Sequence, residues 1–303
     1  MTVELNAFRK GLFEKGLLIP MGVDGLYGRS ETFESIGTAF DNLVSREGAP
    51  DGAEVIRFPP ALTRPVFETT GYLASFPNLA GTIHSFFGKD KEHLALMSMV
   101  EQKQDWTQEY KATQAVAVPA ACYPLYPTLA ARGPLPKAGA LVDVFSWCFR
   151  HEPSLEPTRM QYFRMREFVR AGSPDQVTEF REAWIKRGQK LVEVLQLPLK
   201  VDVANDPFFG RAGKMLVNNQ RQQNLKFELL VPVTSEDQPT ACLSFNYHQD
   251  KFGISFKLSQ ADGSVAHTAC VGFGIERVTL ALLATHGLDP KTWPAGVRGA
   301  LWP

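Results

Sequence analysis

The chain has 303 residues, 44% of them hydrophobic and 21% charged, which is enough apolar content for one large core or two modest ones and excludes a disordered chain. Thirty-two basic residues balance thirty-two acidic ones, so no overall field draws the protein onto nucleic acid or an anionic membrane, and any such attraction has to be a local patch. The four cysteines, Cys122, Cys148, Cys242 and Cys270, are scattered without a C-x-x-C pair, which argues against a disulfide framework and leaves buried, inert thiols as the default.

The first twenty residues, MTVELNAFRKGLFEKGLLIP, are interrupted by charge every few positions. They form neither a secretory segment nor a membrane span, and a cytoplasmic protein is expected. SETFESIGTAFDNLVSREG reads as a helix with Phe33, Ile36, Phe40 and Leu43 spaced by three and four, and AEVIRFPPAL follows as a strand. The Gly/Pro-rich stretches SREGAPDGAEV and AARGPLPKAGA read as exposed loops.

A second helix opens at Ser173, with Pro174 in its first turn and Gln176 placed to close a capping box. Val177, Phe180, Trp184, Leu191 and Leu195 share one face, while Lys186, Arg187 and Lys190 form a basic outer surface. Such a surface is most often simply solvated. From Lys226 the pattern changes: KFELLVPV, TACLSFNYH and GISFKLS are short, rich in β-branched and aromatic residues and separated by polar turns, as in an antiparallel sheet. CVGFGIERVTLALLATHG then runs from a glycine-rich turn into a helix carrying Ile275, Val278 and Leu282. No internal repeat or low-complexity linker divides the chain. A single α+β domain over residues 1–303 is expected, with a helical insertion at about 173–225.

The stretch FRHEPSLEPTRMQYFRMREF, residues 149–168, crowds charge between aromatic side chains. That combination suits an anionic, planar ligand: Arg150 and Arg159 can hold phosphates, and the ring of Phe163 offers a face to a base. In order and spacing, the Ser30–Gly48 helix leading to Pro59-Pro60, Phe149-Arg150-His151-Glu152 with Arg159, and Gly272-Phe273-Gly274-Ile275-Glu276-Arg277 resemble the three signature motifs of class II aminoacyl-tRNA synthetases, among them the seryl type. The resemblance implies an antiparallel sheet flanked by helices, and a homodimer built on the first motif. It also implies an ATP site in which Arg150 and Arg277 are catalytic, joined by Glu152, Arg159, Met160, Phe163, Lys226 and Glu228, with Mg²⁺ accompanying ATP. The implied reaction, attack of an amino-acid carboxylate on the α-phosphorus, needs no general base, because a carboxylate is already ionised at neutral pH. Catalysis then reduces to positioning and charge stabilisation. His151 and His248 have no assigned chemistry on this reading.

By spacing alone the cysteines show no short metal-binding motif. Within the resemblance, Cys122, Glu167 and Cys270 look like the ligands of the zinc-dependent seryl-tRNA synthetases of methanogens, three donors with a fourth position open. Ala121, Cys242, Ser244 and Asn246, with Glu167, would line the amino-acid pocket, and Cys148 would be structural. Barely thirty residues precede the first motif, and about thirty follow the third, so no tRNA-gripping arm or anticodon domain is expected. Together with NNQRQQNLKFEL and SFNYHQD, this makes the chain similar to the amino acid:[carrier protein] ligases. That family activates a small amino acid, glycine or alanine here, and loads it onto the phosphopantetheine thiol of an acyl-carrier-like protein. The basic face at Lys186, Arg187 and Lys190 would then meet the acidic carrier. The alternatives are a stand-alone seryl-like aminoacyl-tRNA synthetase and a catalytically inactive regulatory paralogue.

Overall fold

The computed structural model describes residues 5–203 and 225–303. In chain order the elements are α1 (Leu5–Glu14), β1 (Leu18–Pro20), β2 (Tyr27–Arg29), α2 (Glu31–Gly48), β3 (Glu54–Arg57), β4 (Ala61–Thr63), α3 (Arg64–Thr69), α4 (Tyr72–Ser75), β5 (Thr82–Phe86), α5 (Asp90–Glu101), β6 (Tyr110–Ala117), α6 (Leu125–Ala131), β7 (Ala140–Phe149) and β8 (Tyr162–Gly172). They continue as α7 (Pro174–Val194), β9 (Lys200–Val203), β10 (Lys226–Val231), β11 (Thr240–Gln249), α8 (Lys251–Phe256), β12 (His267–Gly274), α9 (Ile275–His286) and α10 (Ala295–Leu301). The main sheet has the order β3-β7-β8-β12-β11-β10-β9, antiparallel throughout except for the parallel pair β3/β7. A three-stranded sheet, β4-β6-β5, stands beside it, and β1/β2 form a separate hairpin.

Period-two alternation gives the main sheet two unlike faces. Leu229, Leu243, Phe245, Phe168, Val271 and Phe273 point one way into the larger core, where they meet Phe33, Ile36 and Phe40 of α2 and Trp184 of α7. Phe168 stacks on Trp184 at 4.8 Å, and Phe273 meets the same indole edge-on at 5.7 Å. The expected cap of α7 is present: Ser173 Oγ accepts from Gln176 N, and Gln176 Oε1 accepts from Ser173 N. Ser30 caps α2 in the same way, through Phe33 N. On α2 the fourth buried apolar position is Val44 rather than Leu43, which is only partly covered.

Gly188 lies where α7 crosses the sheet. A Cβ there would come within 2.6 Å of the Phe245 ring and 3.2 Å of Leu229. Overpacking of this kind costs about 1–3 kcal/mol, more than the ~1 kcal/mol of helix propensity that alanine returns. Gly188→Ala is therefore expected to lower the urea midpoint with an unchanged m-value.

Several expected elements fold differently. AEVIRFPPAL is two strands in two sheets, β3 and β4, because Pro59 and Pro60 remove ladder donors between them. The first half of GISFKLS, residues 253–256, belongs to helix α8, not to a strand. Its apparent alternation at Phe252, Ile254 and Phe256 is really an i, i+4 pair, with Phe252 stacked 4.2 Å from Tyr126, Phe256 at 5.8 Å from the same ring, and Ile254 exposed. The glycines of GFGIER end strand β12 rather than forming a turn. Of the insertion expected at about 173–225, α7 packs flat on the sheet, Lys200–Val203 is the edge strand of that sheet, and residues 204–224 lie outside the described residues. Among the described residues, no helix is long and apolar enough to cross a membrane.

Candidate active site

The other face of the main sheet floors a cavity of about 600 Å³. Met165 and Glu167 of β8, Cys270, Gly272 and Gly274 of β12, Cys242, Ser244 and Asn246 of β11, and Lys226 and Glu228 of β10 all line it. They are the residues that alternate with the core-facing set. Each of these strands therefore reads as apolar on one side and chemically active on the other.

At one end lie Cys122, Glu167 and Cys270, all buried, with one donor atom from each within 4.8 Å of the others. Cys122 stands in the turn before α6, where its backbone N–H donates to Glu167 Oε1 at 3.0 Å. Asn246 Nδ2 lies 3.4 Å from Cys270 Sγ, and His248 Nε2 lies 3.5 Å from it. The electrostatics describe a box of would-be anions. The Cys122 thiol is pushed well up by its hydrogen bond to Cys270, by burial and by the Glu167 charge. For Cys270 the bond with Cys122 pulls down, but burial and Glu167 outweigh it and leave the thiol raised. Burial also raises Glu167, against the hydrogen bonds from both thiols. Two soft thiols and a carboxylate, buried within reach of one another, are a donor set that a divalent cation would satisfy. Tyr126, fully buried, places its hydroxyl beside Cys122 without a hydrogen bond of ordinary geometry. A thiolate at Cys122 would give it an acceptor, so the residues fit a metal such as zinc.

Arg150 and Arg277 line the same cavity. Arg277 Nε donates to Thr158 O at 3.1 Å and Nη1 to Ala241 O at 3.0 Å. Among the described residues no carboxylate forms an ion pair with it. Burial and the neighbouring Arg150 both pull its guanidinium below the ordinary arginine range. Arg150 donates from Nε to Pro119 O at 3.1 Å and lies 5.3 Å from the Phe163 ring centre. Lys226 and Glu228, two residues apart on β10, pair at 3.1 Å within the cavity.

The cavity thus gathers Arg150, Glu152, Met160, Phe163, Lys226, Glu228, Arg277, Glu167, Cys122, Cys242, Ser244, Asn246 and Cys270. Two expected residues are elsewhere. Arg159 is exposed and ion-paired across the loop to Glu152, which does line the cavity. Ala121 is fully buried behind Cys122, and the wall there is Ala120. Cys148 is core, its thiol pushed up by burial; Cys242 lines the cavity but is also buried, and its thiol is pushed up to about 12. On α7, Arg187 is not part of an open basic face. Its guanidinium makes two bonds to Asp51, at 2.6 and 2.9 Å, and lies over Trp184, which leaves only Lys186 and Lys190 exposed.

The charge of the 149–168 ribbon is also divided. Arg164 and Arg166 point to the helix side, not into the cavity. Arg164 bonds Glu276 through N and Nε, both at 2.7 Å, and Glu34 at 2.5 Å. Arg166 clamps Asp143 and the C-terminal half of α2 through Asp41 and Ser45. Glu276 has no assigned role from sequence. The available signal is a glutamate in the first turn of a helix that is mostly apolar, a position it keeps when buried only with a partner.

The family model for the tRNA synthetase class II core domain (G, H, P, S and T) matches residues 141–286, the span of the cavity floor. Across its length the chain is 48% identical over 281 residues to amino acid–[acyl-carrier-protein] ligase 1 of Bradyrhizobium diazoefficiens, covering 93% of this chain and 86% of that one. With ligase 2 of the same organism the identity is 49%, covering 93% and 84%. Among solved structures, the seryl-tRNA synthetase of M. kandleri, crystallised with A. aeolicus tRNASec, superposes with a TM-score of 0.82 at 20% identity, over 97% of this chain and 60% of that one. That likeness establishes the fold. Near-half identity along almost the whole of both chains goes further: this chain is a member of the amino acid–[acyl-carrier-protein] ligases, on a class II synthetase core.

Proposed function

We propose that the protein activates a small amino acid with ATP and passes the aminoacyl group to the phosphopantetheine thiol of an acyl-carrier-like protein. One observation carries this reading: a single cavity is lined in one part by two thiols and a carboxylate and in another by two arginines. A zwitterionic amino acid and a triphosphate complement that polarity together, with the amine directed to one end and the phosphates to the other.

Zinc held by Cys122, Glu167 and Cys270 would supply an open position for the substrate amine. This helps a pocket choosing glycine or alanine, since one methyl is worth only about 1–3 kcal/mol in side-chain contacts. Arg150 and Arg277 bind the phosphates and stabilise the charge that grows as the carboxylate attacks the α-phosphorus and pyrophosphate departs. Phe163 and Met160 offer apolar surface to the adenine. Lys226 and Glu228 face the same space, where ATP arrives with Mg²⁺. Asn246 and Ser244 offer polar contacts to the amino acid. In the second step the carrier thiol attacks the adenylate carbonyl, forming the thioester and releasing AMP. A cytoplasmic homodimer formed through α2 and β3, acting without tRNA, belongs to the same proposal. An exposed pair at Lys186 and Lys190 is not by itself an argument for where the carrier docks.

The test is amino-acid-dependent ATP–pyrophosphate exchange with all twenty amino acids, run with and without a zinc chelator, followed by mass analysis of a holo-carrier protein and by charging of total tRNA. Exchange with glycine or alanine and a mass increase on the carrier are expected. Charging of tRNA with no carrier product would replace this reading with that of a stand-alone synthetase.

A further inference from the structure

The loop joining β7 to β8, residues 150–161, carries Arg150, Glu152, Thr158 and Met160 to the cavity, and something has to hold it in shape. Leu79, Pro119, Thr234 and Arg277 each hold one point of it, and its C-terminal end is held by the β1/β2 hairpin, a segment with no place in the signature motifs. At the hairpin tip, Gly25 O accepts from Gln161 N at 2.9 Å, and Asp24 O accepts from Gln161 Nε2 at 2.8 Å. Gln161 O in turn accepts from Arg150 N at 3.0 Å, so the tip is one residue removed from a phosphate-facing arginine.

The base of the hairpin contributes Arg29. Its Nη2 donates to Tyr162 O at 3.0 Å and contacts Met160 Sδ at 3.5 Å. Its ion pairs are longer, 3.5 Å to Glu276 and 3.9 Å to Glu34, and Nε is buried without a hydrogen-bond partner. The guanidinium lies 4.6 Å from the Trp147 ring centre, and the side chain is only 10% exposed. A buried arginine kept merely for stability would be expected to close its tightest bonds on carboxylates. Here the bond of best length goes to the loop backbone beside the apolar residue that would face the nucleotide base.

We propose that Arg29 and the hairpin tip are positioning elements for ATP, setting the height of Met160 and the orientation of Arg150, so that this segment outside the signature motifs tunes nucleotide affinity independently of the amino-acid end. The inference rests on the reading of this end of the cavity as the ATP site. Arg29 touches no reacting atom and acts through the loop.

Two variants probe it by different physics. Arg29→Met removes the donor and keeps the apolar stem. Gly25→Ala drives a wedge instead: Gly25 has φ +78°, and a Cβ there would stand 3.2 Å from Arg159 O and Gln161 Cγ and 3.3 Å from Gln161 N. In pyrophosphate exchange, both are expected to raise the KM for ATP by about tenfold, while the KM for the amino acid and the bound zinc stay within about twofold of wild type. If Arg29→Met fails to fold, Gly25→Ala carries the same test. An unchanged KM for ATP in the folded variants, or an equal rise in both KM values, overturns the proposal. Absence of exchange in the wild type would instead refute the reading of the site itself, and the two failures are distinct.

Discussion

Replacing Cys270 with alanine is expected to strip the protein of zinc and to abolish amino-acid-dependent pyrophosphate exchange, with the fold retained. The three donors lie within 4.8 Å of one another and all are buried. Losing one leaves a thiol and a carboxylate, and structural or catalytic zinc is held by at least three protein ligands. Cys122→Ala should behave alike. The control is Cys148→Ala, a thiol equally buried on neighbouring β7 but facing core. It should keep its zinc and most of its exchange activity, at a cost in stability of about 1 kcal/mol for the small cavity. Metal analysis of the purified variants reads the first effect and exchange reads the second. A Cys270→Ala protein with full metal content and full activity would remove the proposed metal centre.

Arg277→Ala should lower exchange by about 10²–10³-fold, the usual loss when a pre-placed donor to developing charge is deleted. The side chain is held in place from behind by two carbonyls, at 3.1 and 3.0 Å, which satisfy part of its fork. The rest is left for an anion, and the nearby Arg150 makes that anion more welcome. Lysine at this position keeps the charge but not the fork, and it should recover only part of the rate. If the role is transition-state stabilisation, kcat falls more than the KM for ATP rises. A pure KM effect would instead show uniform binding. The zinc content of both variants should be unaffected, since the hydrogen bonds of Arg277 go to Thr158 and Ala241 and not to the three donors.

The sequence makes the site legible where its residues are alternate members of strands or neighbours in a motif. Glu167 and Met165, Cys270 and Gly272, and Ser244 and Asn246 each share a face because the period of a strand is two. Reading one of a pair into the cavity brings the other with it. The capping box at Ser173 and Gln176 is local chemistry and survives intact. Arg159 and Arg187 show how little a charge says by itself about what it meets. A charge in a suggestive place is equally consistent with a partner across a loop or a helix, and here Glu152 and Asp51 are those partners. Helix α8 is misread because three apolar residues at alternate positions fit both a strand and one face of a short helix. The stacking surface of Tyr126, more than a hundred residues earlier in the chain, settles which.

What the sequence alone determines about this protein is therefore its ordered signature segments, the helices that cap themselves and the alternation that gives each strand a reactive edge. Only the tertiary structure decides which arginines of the 149–168 ribbon line the cavity and which fasten α2. It alone also brings Cys122 to Glu167 and Cys270 and sets the N-terminal hairpin against the loop that joins β7 to β8. The reason is physical: periodicity fixes which side chains point together, but packing of the helical layer against one sheet face decides which side is buried as core. The other face is divided between a second core, built on Val142, Val144, Val169 and Ala171, and the cavity.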